Sequence, residues 1–284
     1  MSKTISYANA RNSRKIFIRR HSVVTRFTHW LNVLYLSFLL LSGLQIFNAH
    51  PELYWGQYGA NGDAAVLTIG SKEEGGKLRG FVDVAGLELP TTGVLGISDV
   101  DGEPSVRAFP SWATIPSFQD LAAGRRWHFF FAWLFVINGI VYLGFSLLSG
   151  HFRRDLAPKA HELSPRHLGQ EVLNHARLRF PEGEEARHYN ALQKLTYLLV
   201  IVVLLPLMVL TGLTMSPGVD AALPSLVEIF GGRQSARTIH FMTASALVIF
   251  VVVHVVMVVL SGTWNNIRSM ITGLYAIRDE GPNA

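Results

Sequence analysis

Four stretches of this chain contain no Asp, Glu, Lys or Arg, and each is long enough to cross a lipid bilayer. They run near Phe27–Phe47, His128–Ser149, Leu195–Met215 and Ile239–Ser261. A helix crosses the hydrocarbon layer with about 20 residues. Lipid offers no partner to a backbone amide, so each stretch must satisfy its own hydrogen bonds and is predicted to be helical. The charged residues displaced from these stretches explain why only 16% of the chain is charged, against about 25% in soluble domains. The first stretch is too long for the apolar region of a signal peptide and is followed by no small-x-small cleavage site, so it reads as a retained span.

Charge between the spans sets the expected topology. Residues 1–28 carry seven basic side chains and no acidic one, whereas residues 48–127 carry six basic and ten acidic. The loop after the second span opens with Arg153 and Arg154. The positive-inside rule then places the N-terminus, and after four crossings the C-terminus, in the cytoplasm. Such a basic juxtamembrane arm reads as a topology signal rather than a nucleic-acid contact. Cysteine is absent, which excludes Cys-ligated iron–sulfur clusters, covalently attached c-type haem and disulfides.

The expected organisation is a basic cytoplasmic arm at 1–26, a membrane domain at 27–261 and a cytoplasmic tail at 262–284. Within the membrane domain, an outer insertion at 48–127 contains the short runs AAVLTIG, GFVDVAG and GVLGIS, bounded by Gly and Asp, and is predicted to form hairpins. The segment FPSWATIPSFQD should be irregular. A cytoplasmic loop at 150–190 is expected to hold a short helix near His167–Arg179, and Pro206 is expected to interrupt the third span. The fold class is therefore all-α and membrane-embedded, with a long, partly β-like outer loop.

Histidines carry the chemistry. His29, His128, His240 and His254 lie in or at the edges of the spans, where ionisable groups are costly and mark function. His240 and His254 are 14 residues apart. That is just under four helical turns, so both lie near one face, about 21 Å apart along the axis. The topology supplies a partner for each. His29 and His254 fall at the cytoplasmic layer, His128 and His240 at the outer layer. Two neutral imidazoles facing across a bundle suit a six-coordinate haem iron, whereas zinc wants four ligands. The expectation is two haem b groups, with iron held by these four histidines. Full coordination favours electron transfer over oxygen chemistry.

Other residues complete the expected site. Gly43 lies 14 residues after His29 and is expected to admit the outer porphyrin. Arg26 inside and Arg126 outside are expected to meet haem propionates. Met208, Met215, Met242 and Met257 read as packing. His161, His167, His175 and His188 in the loops match no tight metal spacing.

The pieces RFTHW at Arg26–Trp30, GRRWHFFFAWLF at Gly124–Phe135 and IHFMTASALVIFVVVHVV at Ile239–Val256 resemble the prokaryotic cytochrome b561 and Ni-hydrogenase-type b-cytochrome family. That family includes membrane subunits of some formate dehydrogenases and thiosulfate reductases. The likeness covers all four spans. It implies haem ligation by His29 with His254 and by His128 with His240, a quinone site beside one haem, a prokaryotic inner-membrane location, and an outer redox partner, in one subgroup molybdopterin-dependent. The function expected is electron relay between the quinone pool and that partner, as an electron-transfer subunit rather than a catalytic one. Two alternatives stay open at this point: a self-sufficient quinone-linked oxidoreductase acting on a small oxidant, and a haem-sensing scaffold without redox function.

Overall fold

The computed structural model describes residues 15–59, 63–100, 102–179 and 189–278. Most of the basic arm, the end of the tail and His188 lie outside them. The described elements begin with β1 (Lys15–Arg19) and α1 (Val23–Phe47). Between α1 and the second long helix come β2 (Glu52–Leu53), β3 (Leu67–Glu74), β4 (Lys77–Val84), β5 (Leu87–Pro90), β6 (Ile97–Val100) and β7 (Glu103–Val106). Then follow α2 (Leu121–Leu148), α3 (Pro165–Ala176), α4 (Ala191–Leu198) and α5 (Leu205–Thr214). The chain continues as α6 (Pro217–Ala222), α7 (Pro224–Ile229), α8 (Arg233–Leu260), α9 (Thr263–Thr272) and β8 (Leu274–Arg278).

Four helices among the described residues are long and apolar enough to cross a membrane: α1, α2, the run Ala191–Thr214 and α8. The molecule is thus mostly helical and multi-pass. Leu148, Ile140, Trp133 and Ile249 are exposed on these helices, as expected of side chains facing lipid rather than water. Each helix starts several residues before its charge-free stretch. The reason is that helix ends tolerate charge: Arg26 sits in the first turn of α1, Arg125 and Arg126 near the start of α2, Lys194 in α4, and Arg233 and Arg237 in α8. The start of α2 is fixed by Asp120, whose carboxylate accepts the Ala123 amide at 2.8 Å, an N-cap arrangement.

The third span is not a uniform helix. Leu199–Leu204 forms a π-helical turn between α4 and α5, and the Leu205 amide reaches back to the Val200 carbonyl. Pro206 follows at once. Proline has no amide to donate and crowds the preceding turn, and widening that turn is one way to accommodate it. The expected interruption is therefore a π turn. The loop helix α3 is capped by Ser164, whose hydroxyl accepts the His167 amide, with Pro165 as its first residue.

The segment between α1 and α2 forms the expected hairpins. The four-stranded sheet runs in the order β2-β3-β4-β5, and β6 pairs with β7. Glu74 pairs with Lys77 across Gly75 and Gly76, whose φ angles of 62° and 74° suit the tight turn that matches strand twist. A small core of Phe47, Leu53, Ile69 and Ala108, with Phe109 and Phe241 against it, seats these strands on the ends of α1 and α8.

Contacts divide the chain into two units. The larger holds Phe27–Ser146 and Leu198–Val252; the smaller holds the segment up to Arg26, Leu147–Tyr197, and residues from Val253 on. In the smaller unit β1 pairs antiparallel with β8, Lys15 opposite Arg278 and Arg19 opposite Leu274. There the Arg20 guanidinium lies over the rings of Tyr189 and Tyr275, and buried Lys194 pairs with Glu162 at 2.8 Å.

Candidate functional site: a facing pair of histidines

Within the larger unit, α2 and α8 bring two of the four histidines together. The rings of His128 and His240 have centroids 6.3 Å apart and planes inclined at 63°. Two imidazoles bound on opposite sides of one metal, each through a bond of about 2.0–2.1 Å, place their ring centres roughly 6 Å apart. The observed separation therefore fits one iron between the rings. Both rings are partly exposed.

The surroundings of the two rings match. Ser42 on α1 lies 3.1 Å from His128 Nδ1, and Thr211 on α5 lies 3.0 Å from His240 Nδ1. Each hydroxyl also donates back to its own helix, Ser42 to the Phe38 carbonyl at 2.6 Å and Thr211 to the Leu207 carbonyl at 2.6 Å. Both residues are fully buried. A glycine follows each one. A Cβ at Gly43 would stand 3.4 Å from His128 Cε1, and a Cβ at Gly212 the same distance from His240 Cε1. The space that Gly43 keeps open thus borders an imidazole. The sequence carries a trace of this repeat in Leu41-Ser42-Gly43-Leu44 and Leu210-Thr211-Gly212-Leu213, in which no residue is ionisable.

Further along the same helices, Asn138 of α2 donates to the Thr28 carbonyl at 2.9 Å and to the Asn32 side chain at 2.7 Å. These bonds hold α1 against α2 near His29, whose ring meets Trp30 edge-on at 5.4 Å. His29 belongs to the larger unit and His254 to the smaller, so their pairing rests on the sequence layers. Arg26 donates to the Ile271 and Ser22 carbonyls, a backbone role its sequence position did not suggest. Arg126 is exposed on α2, two residues before His128. Among the described residues, no group of three or more His, Asp or Glu side chains is placed to hold a metal ion.

The hairpin segment is fastened to the helix that carries His240. Arg237 donates to the Glu52 carbonyl at 3.0 Å and also to that of His50. Thr238 donates to the Tyr54 carbonyl at 2.6 Å, and the Gln234 and Ser235 amides donate to the Gly56 carbonyl at 3.0 and 3.1 Å. The first amides of a helix lack partners within it, and Gly56 supplies one. A second anchor is Arg107, buried and with no carboxylate partner among the described residues. Its guanidinium donates to the Phe109 and Ser117 carbonyls, both at 2.8 Å, and to Thr114 at 2.9 Å.

Over 140 residues the chain is 38% identical to a protein of Azospira oryzae that is named as a protein-methionine-sulfoxide reductase subunit, YedZ1; the match covers 49% of this chain and 67% of the relative. No solved structure matches. The sequence model of the prokaryotic cytochrome b561 family matches residues 20–273, a range that takes in all four spans and all four membrane histidines. The chain therefore belongs to the prokaryotic cytochrome b561 family and is a multi-pass membrane b-type cytochrome that transfers electrons.

Proposed function

We propose that this protein is the dihaem membrane subunit of a reductase, passing electrons from membrane quinol to a partner redox protein on the outer side of a prokaryotic inner membrane. The observation that carries the reading is the approach of His128 and His240 at 6.3 Å, with a hydroxyl on each Nδ1. His128 and His240 hold the outer haem b, and His29 and His254 the inner one. Iron bound in this way supplies one-electron storage with no open position for oxygen. Gly43 keeps space at the outer layer. Arg126 outside and Arg26 inside meet propionates, Arg26 with the donors its two carbonyl bonds leave over.

The sidedness rests on the basic residues before α1, and the pairing of β1 with β8 supports a common side for the two flanks, here the cytoplasm. Lipid surrounds the exposed apolar faces of the spans. The hairpin segment then lies outside and forms part of the docking face for the partner. Its fastening to α8 through Arg237, Thr238 and Gly56 ties that face to the helix of His240.

The name of the Azospira relative supports reduction as the direction and a protein methionine sulfoxide as the partner's substrate class. A quinol yields two electrons and two protons. Sulfoxide reduction consumes two of each and leaves a thioether and water, so the two half-reactions balance.

Adding quinol to the purified protein should reduce b-type haem, and a catalytic partner should then reoxidise it when sulfoxide is present. A preparation without a b-type band in its reduced-minus-oxidised spectrum overturns the reading.

A further inference from the structure

We propose that Ser42 and Thr211 are positioning residues that fix the proton and the ring orientation of His128 and His240, so that both rings present a bare Nε2 to the same metal. This rests on the haem reading above and names what makes its outer layer work.

The argument is one of proton counting. A hydroxyl has one proton to give and two lone pairs to offer. The Ser42 proton is committed to the Phe38 carbonyl at 2.6 Å, and that of Thr211 to the Leu207 carbonyl at 2.6 Å. What each hydroxyl turns toward the histidine is therefore a lone pair. At 3.1 and 3.0 Å that lone pair needs a proton on Nδ1. A neutral imidazole carries one proton, so Nε2 is left as the unprotonated nitrogen. The opposite tautomer would set an N–H on the metal side of each ring and exclude coordination. Metal-bound histidines usually have such a partner on the second nitrogen, which orients the ring and raises its basicity.

The glycine after each hydroxyl completes the device. With the ring carbon 3.4 Å from the position of a missing Cβ, an alanine at Gly43 or Gly212 would just touch the imidazole, and a side chain with atoms beyond Cβ directed at the ring would push it off its hydroxyl. The two halves are built alike but from different helices, α1 serving α2 and α5 serving α8. The two hydroxyls therefore act on opposite ligands of one iron.

The test is a potentiometric titration of the full-length protein in detergent, with haem content and the low-spin ferric EPR signal read alongside, for Ser42→Ala, Thr211→Val and Thr211→Ser. Thr211→Val keeps the shape and removes the hydroxyl; Thr211→Ser keeps the hydroxyl. Loss of the hydroxyl acceptor, with the Leu39 or Met208 carbonyl left in place beside the ring, makes the imidazole a weaker donor and destabilises ferric iron. Ser42→Ala and Thr211→Val should each raise the midpoint potential of the same one of two haems and shift its EPR signal, while Thr211→Ser stays at the wild-type value. The proposal is overturned if both hydroxyl-free variants leave potential and EPR signal unchanged, if they move different haems, or if Thr211→Ser behaves like Thr211→Val. If His240→Ala leaves the haem content at its wild-type value, the haem reading itself has failed, and the proposal with it.

Discussion

The imidazoles of His128 and His240 face each other with centres 6.3 Å apart and planes inclined at 63°, although the two residues are 112 positions apart in sequence. Neither ring is held by the other. Each is held by a hydroxyl and a backbone carbonyl of one neighbouring helix, Ser42 and Leu39 for His128, Thr211 and Met208 for His240, so the spacing is a product of how α1 packs on α2 and α5 on α8. A site built in this way depends on the helices keeping their register, and the fastenings of the connecting segments bear on it directly.

Gly232 is one such fastening. Its φ is +110°, and a Cβ there would stand 2.5 to 2.6 Å from backbone atoms of Gly56 and Gln57. Gly232→Ala should cost at least about 1–3 kcal/mol from the left-handed backbone, with a further cost from pushing the strap off the start of α8. A lowered melting temperature of the purified variant is expected, and an unchanged one contradicts the close approach.

Arg107 is the second fastening. Its donors meet the carbonyls of Phe109 and Ser117 in part-buried bonds and the Thr114 hydroxyl in a buried one. Arg107→Ala leaves these acceptors without their charged donor, at about 1–3 kcal/mol. Thermal unfolding followed by tryptophan fluorescence should show the loss, since exposed Trp112 sits in the stretch between these carbonyls. Arg107→Lys should recover only part of it, because an ammonium cannot span the fork of acceptors.

Much of this arrangement is legible in the sequence. The four spans, the hairpins, the capped loop helix and the candidate histidines follow from charge, alternation and spacing. What escapes is of a different kind. Ser42 and Thr211 look like ordinary small polar residues in apolar helices, and Gly212 looks like helix packing. Their roles arise only when a ring from another helix arrives beside them. Arg107 reads as one more surface charge in an acidic segment until its carbonyl partners, up to ten residues away, fold around it. The helix starts were missed by several residues because absence of charge marks the apolar layer, whereas helix ends extend past it.

The smaller unit makes its own prediction about acid. Burial works to raise the Glu162 carboxyl, but its bonds to Lys194 and to the Lys159 amide outweigh this and hold it below the usual carboxylate range. A carboxylate with a depressed pKa in the folded state contributes stability above its unfolded pKa and loses it as pH falls through the folded value. The melting temperature should therefore fall as pH drops below about 4, and less steeply in Glu162→Gln. Parallel pH profiles for the two proteins would contradict the pairing.

The central claim is two haems, each between two named histidines. The most direct measurement is haem b per polypeptide, by pyridine haemochrome, in the wild type and in His29→Ala, His254→Ala, His128→Ala and His240→Ala. The account predicts two in the wild type and one in each variant. A wild-type protein with fewer than two, or any of the four variants retaining both, contradicts it.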